Sequence, residues 1–93
     1  MLILNGSAEF MSAEGEHNLG DRHTFNMFVK NDNLTAKLDE IEAYLVARNW
    51  DNIEITDNGL VENIEEIQHE TLIAAFKKAQ HEELAVVIHN TAM

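Results

Sequence analysis

Apolar residues recur along this chain with two different periods, and neither period is sustained for long. Leu2, Leu4, Ala8 and Phe10 alternate with Ile3, Asn5, Ser7, Glu9 and Met11. Phe25, Met27 and Val29 alternate with Thr24, Asn26, Phe28 and Lys30. Period two is the mark of a strand, so these two segments predict an antiparallel hairpin joined through the turn-rich stretch Ser12 to Arg22. Gly6 inside the first strand predicts a bulge or a close backbone approach.

The period then changes. Leu34, Leu38, Ile41 and Leu45 recur at helical spacing and form one apolar stripe. Asp32, Asn33 or Thr35 can cap the first turn, and Asn49 can end the helix in a left-handed conformation. Trp50 follows as a core anchor, and Ile53 and Ile55 alternate as a third strand. Asp57, Asn58 and Gly59 read as a turn. Residues 60–67 fit either a short returning strand or a helix start, with Asn63 as cap and Glu66 closing a capping box. Leu72, Ala75, Phe76 and Ala79 form a second helical stripe that ends near Glu83, and Leu84 to Asn90 reads as a buried strand.

The resulting order is strand, strand, helix, strand, an optional short strand, helix, strand. Right-handed crossovers place both helices on one face of one sheet. The expected fold is an α+β two-layer sandwich, with a mixed sheet of four or five strands and two helices on one face. Ile41, Leu45, Trp50, Phe76 and Val86 are expected in its core. A chain of 93 residues suits one domain, covering 1–93. Met11 offers an alternative translation start, which would make residues 1–10 a leader or a cloning remnant. Their alternation supplies a partner strand, so they are kept in the fold.

Seventeen acidic residues against six basic ones give a net charge of −11. Phosphate backbones repel such a chain, so neither direct nucleic-acid binding nor attachment to an anionic membrane is expected. Residues 51–70 concentrate the charge in Asp51, Glu54, Asp57, Glu62, Glu65, Glu66 and Glu70, with no basic residue between Arg48 and Lys77. This predicts a solvated acidic surface that can meet a basic protein partner. The chain has no cysteine, which removes disulfides and thiolate chemistry and fits a cytoplasmic setting.

Sites with chemistry are poorly supported. Glu54 to Glu65 resembles a calcium loop in Gly59, Val61 and Glu65. Glu54 is too long for the first ligand place, Thr56 is a poor third ligand, and a strand replaces the incoming helix. The stretch is therefore read as a turn. His17, His23, His69, His81 and His89 form no ligand motif, although folding can draw His17 or His23 towards Glu14 and Glu16. Ser7 and Ser12 lie in no nucleophile elbow. No catalytic residue, metal or cofactor is assigned.

The functional expectation rests on strand parity. With Phe25, Met27 and Val29 facing the helices, Phe28 must face away, and Val87 is in the same position on the last strand. Together with Ile3 and Met11 these residues are expected on an open sheet face that pairs with a second copy as a homodimer. The leading reading is a small acidic interaction module. Two alternatives are an acidic mimic of nucleic acid that blocks a DNA-binding protein, and a small-molecule domain with a pocket lined by Phe25, Met27, Trp50 and Phe76.

Overall fold

The computed structural model describes residues 1–15 and 17–92, the last three of them by backbone alone. The elements in order are β1 (Leu2–Phe10), β2 (Arg22–Val29), α1 (Leu34–Val46), β3 (Trp50–Leu60), a short 3-10 helix (Ile64–Glu66), α2 (Glu70–Glu82) and β4 (Leu84–Ala92). The fold is α+β: a four-stranded sheet in the order β3-β1-β2-β4 with two helices. Among the described residues no helix is long and apolar enough to cross a membrane.

Every neighbouring pair in the sheet is antiparallel, so the expected mixed sheet is corrected. β2 and β3, joined through α1, do run parallel to each other, but β1 lies between them. The first ten residues are integral to the sheet. β1 is a central strand, and Leu2, Leu4, Ala8 and Phe10 are all buried.

The two helices lie on opposite faces, which corrects the expected placement. Ile41 and Leu45 of α1 pack with Leu4, Phe25, Met27 and Trp50. Ala75, Phe76 and Ala79 of α2 pack with Phe28 and Ala85 on the other side. The handedness rule concerns crossovers between parallel strands. β3 and β4 sit at opposite edges and run antiparallel to each other, so that rule assigns no face to α2. Apolar burial assigns it instead, because the parity of β2 and β4 leaves Phe28 and Val87 in need of a cover.

Several local expectations hold for their stated reasons. Asn33 caps α1 by accepting a hydrogen bond from the Ala36 N–H. Asn49 takes φ 70 and ends that helix region before Trp50, which is buried against Phe10. Leu72, Ala75, Phe76 and Ala79 all face the sheet from α2, and Glu83 closes the helix at φ 73. Ile41, Leu45, Trp50 and Phe76 are buried as expected, whereas Val86 is only half-buried.

The expected turn at Asp57, Asn58 and Gly59 is absent. β3 runs through to Leu60, and Asp57, Asn58, Gly59 and Leu60 oppose Asn5, Leu4, Ile3 and Leu2. The edge of β1 offers a full ladder of hydrogen-bonding groups, and pairing overrides the local turn preference. The capping chemistry survives on a smaller scale. Asn63 caps the 3-10 helix by accepting from the Glu65 N–H, and the Glu66 carboxylate accepts from the Glu62 N–H.

Gly6 is required by contact with its neighbours. A β-carbon there would lie 2.3 Å from the Glu54 carbonyl oxygen and 2.8 Å from the Phe25 ring. The β1–β3 register shifts beside it, between Asn5 and Gly6. A β-carbon on Gly59 would meet only Ile3, at 3.9 Å. We expect Gly6→Ala to cost about 1–3 kcal/mol or more through forced backbone movement, and Gly59→Ala to change stability by under about 1 kcal/mol. Urea midpoints of the two variants measure this, and equal midpoints would contradict the close approach.

Candidate interaction surface

The residues expected on an open face gather together, but they are not open. Phe28 is fully buried, and its ring meets Phe76 of α2 edge-on at 5.7 Å between centroids. Ile3 and Val87 pack half-buried into the same cluster. Met11 lies apart, just beyond β1, and is 47% exposed. The apolar face is therefore covered by the chain's own second helix. The expected pocket among Phe25, Met27, Trp50 and Phe76 is likewise corrected: all four are buried core residues, divided between the two faces of the sheet.

The part of that face beyond α2 is polar. Arg22 donates through Nε to the Ser7 hydroxyl at 2.9 Å and through Nη2 to the Ser7 carbonyl at 3.3 Å. Its guanidinium also approaches the Glu54 carboxylate at 3.7 Å. Further along, His89 Nε2 lies 2.8 Å from Asn26 Oδ1, and Asn26 Nδ2 donates to Asn5 Oδ1. An amide oxygen only accepts, so this geometry puts a proton on His89 Nε2. The ladder ties β4, β2 and β1 together across their outer surface.

Folding brings two of the five histidines together. The His17 and His23 rings lie 4.5 Å apart between centroids, both against Trp50. His23 is buried and its Nδ1 lies 2.7 Å from the His89 carbonyl oxygen, which requires the Nδ1 proton. His17, half-buried within the Ser12–Asp21 connection, thus packs its ring against Phe10, His23 and Trp50 at the border of the core. Glu16 lies outside the described residues.

The seven carboxylates of residues 51–70 are all exposed. Asp51, Glu54 and Asp57 lie on edge strand β3, Glu62 in the loop after it, Glu65 and Glu66 on the 3-10 helix and Glu70 at the start of α2. β3 is also irregular as an edge. Its ladder with β1 shifts twice, and Asn52 takes φ 48. Charge and bulges are the usual means by which an edge strand resists pairing with another chain.

The opposite edge lacks the charge and is interrupted less often. β4 carries no Asp, Glu, Lys or Arg, and no charged residue follows Glu83. Its register with β2 shifts once, near the far end between His23 and Phe25. β2 beside it has no carboxylate either. α1 lies closest to β3, on the other side of the sheet's midline, so Val86 and Ile88 on its face remain half-buried. Sequence reasoning read β4 as a buried strand and missed that it is an edge. The available signal was the contrast between an uncharged last strand and the carboxylates on β3.

A groove also lies between α1 and β3, with a volume of about 560 Å³. Ile41, Ile53 and Ile55 form its floor, and Leu38 stands at its lip, 43% exposed. Asp39, Glu42 and Asp51 line its sides. Comparison of the chain with protein-family models, with curated proteins and with solved structures gives no match.

The revised placement of Phe28 changes what its removal should do. Phe28→Ala is expected to cost about 3–5 kcal/mol through the cavity left under α2, instead of acting on association alone. A denaturation midpoint equal to that of the wild type would show that α2 does not cover this face.

Proposed function

We propose that this protein is a small acidic interaction module that self-associates edge to edge through β4. The observation that carries the reading is the asymmetry of the two sheet edges. β3 is bulged and lined with Asp51, Glu54 and Asp57, while β4 is uncharged and flanked by half-buried Val86 and Ile88. Unpaired backbone groups on an uncharged edge, here in register with β2 from Leu84 to Ile88, are a template for another strand. Pairing β4 with the β4 of a second copy about a twofold axis continues the antiparallel pattern and yields one sheet across two subunits.

Electrostatics supports the same choice of edge. Each copy carries a net charge of −11, so two copies repel each other overall. Contact through β4 joins the sides with the fewest carboxylates and keeps the β3 edges far apart. Over distances beyond about 10 Å at 0.1 M salt the remaining repulsion is largely screened. The dimer should therefore tighten as salt rises, the reverse of an interface held by ion pairs.

Light scattering or sedimentation across a concentration series, at low and high salt, tests the reading. The expected result is a mass that rises towards twice the monomer value, and rises sooner in salt. Ile88→Lys is expected to remain folded by circular dichroism and to stay monomeric. This variant lowers the net negative charge, so long-range repulsion between the copies cannot explain its loss of pairing. A strict monomer at millimolar concentration in both salts would overturn the proposal, as would an Ile88→Lys variant that dimerises like the wild type.

A further inference from the structure

The groove between α1 and β3 lies on the far edge from β4 and has no part in the proposed self-association. Its floor is apolar, through Ile41, Ile53 and Ile55, and Leu38 at its lip is 43% exposed. Its sides carry three carboxylates, Asp39, Glu42 and Asp51, and no lining residue is basic. Of the six lysines and arginines, two form side-chain ion pairs, Arg22 with Glu54 and Lys37 with Glu40, and two donate to main-chain carbonyls, Lys30 to Gln80 and Arg48 to Tyr44. None of these pairs neutralises the three groove carboxylates. An apolar trough flanked by uncompensated negative charge has one complementary shape of partner, an apolar ridge flanked by positive charge.

The backbone beside the groove narrows the choice further. An extended segment would have to add to the β3 edge. There the register with β1 shifts between Ser7 and Glu9, and Asn52 takes φ 48. That interruption breaks the regular spacing that strand addition uses, so the partner must bind by inserting side chains. A helix offers apolar side chains at i, i+3 and i+4 on one face, spaced about 5.4 Å per turn, with the flanks free for Lys or Arg. A volume of about 560 Å³ has room for such anchors.

We propose that the α1–β3 groove is a docking site for a basic amphipathic helix of a partner protein, whose apolar anchors sit on Ile41, Ile53 and Ile55 and whose Lys or Arg residues meet Asp39, Glu42 and Asp51. The carboxylates steer the encounter and set the salt dependence, and Leu38 closes over the anchor. This goes beyond self-association, because the site is complete within one copy.

The probe is a fluorescein-labelled synthetic Leu/Lys peptide whose leucines occupy one helical face, with binding followed by anisotropy. Two comparison peptides accompany it: one of the same composition with the order scrambled, and one with Glu in place of Lys. The segregated peptide is expected to bind saturably, and the scrambled and Glu peptides at least about tenfold more weakly. The triple variant Asp39→Asn, Glu42→Gln, Asp51→Asn should weaken binding about tenfold. The triple variant Glu62→Gln, Glu65→Gln, Glu70→Gln removes as many charges away from the groove and should leave binding within about twofold. Leu38→Ser should weaken binding without loss of helix content by circular dichroism, and Ile88→Lys should leave it unchanged. Equal binding of the scrambled peptide, or equal weakening by the two triple variants, would reduce the effect to unspecific charge attraction and overturn the proposal. So would failure of the segregated peptide to bind.

Discussion

A strand with large apolar side chains on both sides must be covered twice. β2 presents Phe25, Met27 and Val29 to one face and Phe28 to the other, and all four are buried. The rest of the architecture follows from that demand. One helix cannot shield both faces, so α1 closes over the first group and α2 over Phe28. Each helix covers part of its face: α1 lies closest to β3, and α2 lies over β4 and β2. The offset leaves two uncovered quarters of the sheet. The one beyond α2 is filled by Asn5, Ser7, Arg22, Asn26 and Glu54, and the one beyond α1 holds Val86 and Ile88.

The surface follows the same division. Carboxylates occupy the β3 edge and the loop into α2, and they are absent from β2 and β4. A chain so acidic resists association nearly everywhere. Its uncharged edge and its acid-flanked groove are therefore two different kinds of surface.

What could be read in advance was what depends on near neighbours. The α2 stripe of Leu72, Ala75, Phe76 and Ala79 is set by helical spacing alone, and the left-handed Asn49 by the tolerance of a short amide side chain. The parity of Phe28 was also legible, but its cover was not, because the face taken by α2 depends on strand order across the whole sheet. The stretch Asp57 to Gly59 shows the same limit. Its composition favours a turn, yet the free side of β1 held it extended. The groove was hidden for a related reason. Leu38, Asp39 and Glu42 lie on a helix and Asp51 and Ile53 on the strand after it, and only the packing of α1 on β3 brings them together. The acidic run at residues 51–70 needed no such contact, since seven carboxylates in one segment have few ways to be buried.

The close approach at Gly6 bears on how the sheet is assembled as well as on what holds it. Antiparallel strands can slip by two residues and keep their apolar faces inward, which makes such slips the plausible errors of pairing. A two-residue slip of β1 would bring Leu4 or Ala8 to the place where the Glu54 carbonyl lies 2.3 Å from a β-carbon position. Only a residue without a β-carbon passes that point. The glycine thus marks the one alignment of the central strand that the folded sheet accepts at this contact.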